Sequence, residues 1–305
     1  WLKKVNEYNN KEDNSEIIKN YILYKSPGTI LGKGGFSTVF MAVDKNNPSK
    51  QYAVKITEKT KRANKGKTFY EFVKSEVEIL QKIVCRYIVK VYEIIDTVNK
   101  VYIFMEKMDK GSIYKLIKNN ELTDREIWTY ARHLICAIEH CHKISNIIHK
   151  DINVRNLLVN QNGIAKLCDF GISESFSNDN DSLPVGIGPS TYVPPEKKFN
   201  EGVYNGKSAD IYLLGLTLYH MVYKKPAFQD KDLKNLSRDD YIKIEFPEVD
   251  LNNKILDIEL INLLKSLLKE KPSERPSIDE IKQNNWITQN KLYPLPNVIQ
   301  DTLDY

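Results

Sequence analysis

The segment His149-Lys150-Asp151-Ile152-Asn153-Val154-Arg155-Asn156 is followed, eighteen positions after Asp151, by Asp169-Phe170-Gly171. This spacing reads as a base, Asp151, and a metal-ligating Asn156 on one loop, with a second metal ligand, Asp169, opening another. Far upstream, Leu31-Gly32-Lys33-Gly34 leads through Ser37 to Val39 between two strand-like runs. Glycines at alternate positions let backbone approach a phosphate and point N–H groups at it. Ala53-Val54-Lys55 then sets a lysine in an apolar strand, where it needs a carboxylate partner. Glu76 is the candidate, because Glu78 on the same helix is turned away by about 200° at 100° per residue. One acceptor base, two metal-ligand residues and one phosphate cation are the minimum set for phosphoryl transfer. That reaction asks a protein mainly for positioning and charge neutralisation.

Strands and helices must hold these groups in place. Residues 1–24 are polar and rich in Asn and Lys, and read as an extension or short helix outside the core. Thr29–Leu31, Phe36–Val43 and Tyr52–Thr57 alternate as strands around the turn Asp44–Pro48. A basic loop, Glu58–Lys67, precedes a helical pattern from Phe69 to Ile83, carried by Phe69, Phe72, Val73, Val77 and Leu80. Two further strands, Ile88–Ile95 and Val101–Glu106, turn at Asn99. Helices follow: one opened by a Thr123/Glu126 capping box and running to about Lys143, then Ser208–Tyr223 and Leu256–Leu268. A strand-rich front and helix-rich back predict an α+β fold of two lobes. The expected segments are an extension over 1–24, an N-lobe over 25–107, a C-lobe over 108–288 and a flank over 289–305.

These motifs, in this order, resemble a eukaryotic protein kinase domain over roughly residues 25–288. The resemblance implies a bilobal kinase fold, ATP and Mg2+ as cofactors, and roles residue by residue. Lys55 paired with Glu76 would sit over the phosphates, Asp151 would be the catalytic base, and Asn156 and Asp169 the magnesium ligands. Leu31, Gly32, Lys33, Gly34, Val39, Ala53, Met105, Glu106, Met108, Leu158 and Cys168 would line the ATP site, Met105 as gatekeeper, with Glu106 and Met108 offering backbone contacts to adenine. Glu196 of Pro194-Pro195-Glu196 would pair with Arg275, and Asp210 would hold the backbone of the catalytic loop.

Four positions depart from that pattern. Ser37 replaces the third glycine of the phosphate loop. Lys150 stands where an Arg normally receives an activation-loop phosphate, and Lys is the poorer bidentate donor. Weak dependence on activation-loop phosphorylation follows, with Asp179 and Asp181 as sources of built-in charge and Ser173, Ser175, Ser177 and Ser182 as sites. Asn153 replaces the Lys expected at the γ-phosphate, and Arg155 is the expected compensating cation. Pro189 in Gly188-Pro189-Ser190-Thr191-Tyr192 replaces the Thr that would bridge to that Lys.

Asp169–Ser173, Gly215–Tyr219, Ile244–Pro247 and Ile281–Thr288 with Trp286 are similar to the calmodulin-dependent kinase kinase group. That similarity implies a protein substrate, the activation loop of another protein kinase among them. Ile172, β-branched after the Gly171 glycine, leans the acceptor toward Thr. No basic amphipathic helix precedes Tyr305, so calmodulin binding is not supported. A silent nucleotide-binding scaffold stays open beside the active enzyme, and a small-molecule kinase is disfavoured by the Pro-Pro-Glu segment and its Arg275 partner.

The bulk numbers agree. A net charge of +5, spread along 305 residues, gives no nucleic-acid patch. The four cysteines have no CxxC spacing. Cys136, His140, Cys141 and His142 share one helix and read as packing residues rather than metal ligands. No apolar run nears the ~20 residues that cross a bilayer, and a reducing, cytoplasmic setting is expected. The high Asn and Lys content suggests an AT-rich protist genome.

Overall fold

The computed structural model describes residues 15–34, 37–59, 69–177, 180–185, 192–229, 231, 233, 235–289 and 295, the side chains of 69–72 apart. Gly35, Phe36, most of the basic loop before Phe69, the Phe69 and Phe72 side chains, Asp179, Gly188–Thr191 and nearly all of the C-terminal flank therefore lie outside the described residues. The rest divides into two compact units. One takes in the chain to Val77 together with Lys90–Met108, and the other takes in Glu78–Val89 and the chain from Asp109.

The first unit is built on β1 (Ser15–Ile18), β2 (Tyr21–Tyr24), β3 (Ile30–Lys33), β4 (Ser37–Asp44), β5 (Gln51–Glu58), β6 (Val91–Asp96) and β7 (Lys100–Glu106), with helix α1 (Phe69–Leu80) between β5 and β6. The strands form one antiparallel sheet in the order β1-β2-β4-β5-β7-β6, and β3 pairs with β4 as well. Period-two alternation decides its faces. Ala42, Val54, Ile56, Tyr102 and Phe104 point to one side and form a buried cluster with Tyr21, Leu23 and Ile95. Val39, Ala53, Lys55 and Met105, offset by one residue, point to the other.

Residues 15–24 are not an extension outside the core. They fold into a hairpin that turns at Lys19 (φ 51°), and β2 pairs with β4 through Tyr21–Asp44, Ile22–Val43 and Leu23–Ala42. Tyr21 stacks on Phe104 with centroids 3.8 Å apart, and Leu23 is fully buried. The Asn- and Lys-rich surroundings hide the alternation of Tyr-Ile-Leu-Tyr, which is too short to stand out from composition.

The second unit is mainly helical. It contains β8 (Gly111–Ser112), α2 (Ile113–Lys118), α3 (Asp124–Glu139), β9 (Ile147–Ile148), β10 (Leu157–Val159), β11 (Ala165–Leu167), β12 (Glu174–Ser175), β13 (Ser182–Pro184), α4 (Pro195–Phe199), β14 (Val203–Asn205), α5 (Gly206–Tyr223), α6 (Arg238–Ile242), α7 (Ile258–Leu267), α8 (Ile278–Gln283) and α9 (Asn285–Thr288). The Thr123/Glu126 capping box opens α3 as expected. Its end differs: after Glu139 the chain widens into a π-helical turn, His140–Ile144, which directs His142 toward α5. Helix α5 is buried around nearly its whole circumference, as befits the axis of a unit. Gly215 lets α7 approach closely, since a Cβ there would come within 2.9 Å of Leu267 and Leu268.

The predicted lobe boundary shifts in two places. Met108 belongs with the sheet, whereas residues 78–89 belong with the helices. Cys85, Tyr87 and Ile88 are buried in the helical core, and the Val89 amide donates to the Leu167 carbonyl at 2.9 Å. The strand expected to begin at Ile88 accordingly begins at Val91.

Among the described residues no helix is long and apolar enough to cross a membrane. Among the described residues, Cys85, Cys136, Cys141 and Cys168 carry thiols outside any disulfide. Burial pushes the Cys136 thiol up to about 12 and Cys141 well above its usual range, so both are inert packing groups.

Candidate active site

In the first unit, Val39 pairs with Lys55 and Gly32 with Val39, while Ala53 pairs with Met41 on one side and Met105 on the other. This register brings Gly32, Val39, Ala53, Lys55 and Met105 onto neighbouring strands. Leu31, Lys33 and Gly34 are exposed beside them, and the Gly34 amide closes the loop on the Ser37 carbonyl at 2.9 Å. Lys55 Nζ donates to Glu76 Oε1 at 2.6 Å, with both side chains largely buried. Glu78 is exposed, as the helical angle requires. Glu106 is anchored by two bonds to one residue: its amide donates to the Lys90 carbonyl, and its Oε1 accepts from the Lys90 amide at 2.8 Å. Met108 is half-buried just after β7.

In the second unit, the loop from β9 to β10 is held by its own carboxamides. Asn156 Nδ2 donates to Asp151 Oδ2 at 2.7 Å and to the Asp151 carbonyl at 2.9 Å. Asn153 Nδ2 donates to Asp151 Oδ1 at 3.1 Å, and its Oδ1 accepts from the Arg155 and Asn156 amides. Asn153 is 2% exposed, so its side chain is committed to the loop. From α5, the buried Asp210 accepts from the His149 and Lys150 amides at 2.8 and 2.9 Å and meets His142 Nε2 at 2.9 Å. A carboxylate taking several N–H bonds is a rigid strut for a backbone in the left-handed region, here Lys150 at φ 71°.

The chain returns at β11. Cys168 donates its amide to the Asn156 carbonyl at 2.9 Å and is half-buried, while Leu158 pairs with Lys166. His149 Nε2 lies 3.1 Å from the Cys168 carbonyl oxygen, and burial pulls its imidazole below the usual range. Asp169 is exposed at φ 64°. Phe170 is buried with its ring edge-on to His149 at 4.7 Å. Asn156 uses its Nδ2 on Asp151, a pairing that does not engage its Oδ1. An all-oxygen pair of Asn156 and Asp169 suits Mg2+, which takes one or two side chains plus phosphate oxygens and waters. Among the described residues no group of three His, Cys, Asp or Glu side chains forms a metal site of its own, including the Cys136–His142 set.

Lys150 has a partner that the spacing did not suggest. Its Nζ donates to Glu174 Oε2 at 2.8 Å, on the strand that pairs with β9. Asp181 does not serve Lys150; it accepts instead from Asn205 Nδ2 at 2.9 Å and the Lys207 amide at 3.2 Å at the start of α5. Ser173 is buried and donates to the His149 carbonyl, which leaves Ser175, Ser177 and Ser182 as the exposed serines of the expected set. Arg155 is exposed, with its guanidinium 3.7 Å from the Tyr114 ring centroid. Glu196 and Arg275 meet in a two-fold ion pair, 2.7 Å at each contact and each about 1% exposed.

The sequence of the protein kinase domain family matches residues 26–287. A probable serine/threonine-protein kinase of Dictyostelium discoideum is 31% identical over 292 residues, covering 93% of this chain and 40% of that protein. The calcium/calmodulin-dependent protein kinase kinase of Caenorhabditis elegans is 29% identical over 294 residues, covering 87% and 52%. The carbon catabolite-derepressing protein kinase of Secale cereale is 29% identical over 301 residues, covering 94% and 56%. The chain thus spans about half the length of these curated relatives. With the family's motifs distributed over a sheet unit and a helical unit as described, the chain belongs to the protein kinase domain family.

Proposed function

We propose that this chain transfers the γ-phosphate of Mg-ATP to Ser or Thr, with a leaning to Thr, of protein substrates, the activation loop of another protein kinase among them. The observation that carries the reading is Asp151, held by the carboxamides of Asn153 and Asn156 so that its carboxylate is oriented to take a hydroxyl proton. Magnesium, when bound, would neutralise phosphate charge, with Asn156 and Asp169 holding it. Lys55, fixed by Glu76, supplies the cation for the phosphates, and Leu31, Gly32, Lys33, Gly34, Val39, Ala53, Met105, Glu106, Met108, Leu158 and Cys168 are the proposed nucleotide contacts. A cytoplasmic, signalling role belongs to this proposal on the strength of the kinase family.

Transfer of label from γ-labelled ATP with Mg2+ tests the reading, using a generic protein and kinase activation-loop peptides, beside Asp169→Ala. Label incorporated by the wild type and lost in the variant is the expected result. ATP binding without incorporation would instead favour a silent scaffold, a reading supported by the absence of a cation at Asn153.

The Lys150–Glu174 pair makes a second expectation concrete. A carboxylate already occupies the ammonium that an activation-loop phosphate would otherwise seek, at a partly exposed site where the pair adds orientation more than stability. Phosphatase-treated protein is expected to keep its transfer rate within about twofold, whereas Glu174→Lys, which places like charges together, lowers it about tenfold. A rate that collapses on phosphatase treatment would show that phosphate, not Glu174, sets the loop.

A further inference from the structure

The geometry around Arg155 points to the class of substrate, and this step rests on the transfer reading above. Arg155 directly precedes Asn156, and its amide is fixed on Asn153 Oδ1 at 2.9 Å, so its backbone moves with the loop that carries Asp151. Tyr114, the second residue of α2, donates its amide to the Val154 carbonyl at 2.9 Å. The ring on which the guanidinium lies is thereby tied to the same loop. Lys118, one helical turn on, has its Nζ 5.4 Å from the same ring. The two cations pull the Tyr114 phenol below its usual range.

Beneath them, Tyr192 Oη lies 3.0 Å from His220 Nδ1, and the Tyr114 and His220 rings meet edge-on at 6.4 Å. Burial lowers His220 to about 4, so this support is neutral at pH 7. Among the described residues, no carboxylate forms an ion pair with Arg155. An exposed arginine held over an aromatic ring without a paired carboxylate is a preorganised receptor for a carboxylate or phosphoryl group. Lys197 of α4, half-buried, lies near Lys150, Asp151 and Glu174.

An extended peptide advances about 3.3–3.6 Å per residue. With its acceptor hydroxyl at Asp151, a neighbour two or three places along lies roughly 7–11 Å away, and Arg155 stands four positions from Asp151 on the same loop. We propose that Arg155, stacked on Tyr114, binds an anionic side chain two or three residues from the phosphoacceptor, so that the substrate is an acidic or previously phosphorylated protein segment. Arg155 is then a specificity-determining residue rather than a replacement for the cation missing at Asn153.

The test uses the whole chain and a set of Thr peptides carrying Glu, phosphoserine, Ala or Arg at the second and third positions on either side of the acceptor. Wild type is expected to show kcat/KM about tenfold higher for Glu or phosphoserine than for Ala at one of these positions, through KM. Comparison of the Glu and phosphoserine arms decides which anion is preferred. Arg155→Glu should reverse the order in favour of Arg, and Tyr114→Phe, which keeps the ring, should preserve it. An order unchanged in Arg155→Glu overturns the proposal. So does Arg155→Ala lowering kcat equally on every peptide, which would place Arg155 at the transferred phosphate. Fluorescence anisotropy with the same peptides, Ala replacing the acceptor, reads recognition without transfer. Discrimination there that Arg155→Glu reverses upholds this inference even if no label is transferred, and no discrimination there overturns it even if label is.

Discussion

Asp151→Asn is expected to lower phosphoryl transfer by about 10²–10⁴-fold, the usual worth of a positioned general base, while ATP affinity stays within about threefold. The carboxamide keeps the size of the carboxylate and can still accept from Asn156 Nδ2, whose bond to Asp151 Oδ2 is 2.7 Å. It cannot take up a proton at neutral pH. The loop itself is secured elsewhere, by Asp210 on the His149 and Lys150 amides and by Asn153 on those of Arg155 and Asn156. Unfolding temperature should therefore barely change. Single-turnover label transfer, measured beside nucleotide binding on the same preparation, separates the two effects. A variant retaining more than a tenth of the wild-type rate would remove Asp151 from the role of base.

The largest effect on stability is expected at Glu196. Its carboxylate receives both terminal nitrogens of Arg275, whose remaining N–H groups reach the Lys269, Ser208 and Glu270 carbonyls. The guanidinium also lies 4.6 Å from the Tyr212 ring centroid. Glu196→Ala strands a buried cation, a change that costs about 3–5 kcal/mol. In a chain of this size that shifts the unfolding midpoint by roughly 6–20 °C, at about 2–4 °C per kcal/mol. Replacing both partners, Glu196→Met with Arg275→Leu, should recover part of the loss, because paired removal leaves no orphan charge. Thermal unfolding of the single and double variants checks this. A single variant within 2 °C of wild type would show that the pair is dispensable.

Much of the site was legible because short-range chemistry fixes it. Asp151, Asn156 and Asp169 are proposed from residue type and order, and Glu76 was separable from Glu78 by helical angle alone, as its bond to Lys55 shows. The Thr123/Glu126 box and the Glu196–Arg275 pair were similarly readable, one from local capping and the other from resemblance. Lys150 was recognised as unusual, but its partner was sought at Asp179 and Asp181. The spacing between Lys150 and Glu174 carries no helical or strand period; only the pairing of β12 with β9 brings them together. Residues 15–24 were set aside for their polarity, yet Tyr21 and Leu23 fill the sheet core.

By itself, then, the amino-acid sequence determined the family and that strands precede helices, and it named the groups proposed as base, cation and metal ligands. Those are properties of residue type and local period. Tertiary structure decided what each group is bonded to. Asn153 looked like a lost cation and is a buried loop brace, Asp181 holds the start of a helix, and Glu174 answers Lys150. Arg155 places its guanidinium over the Tyr114 ring. These partners are far apart along the chain, and side-chain hydrogen bonds and ion pairs act over a few ångströms of space, a distance that residue spacing does not encode once the chain leaves a single helix or strand.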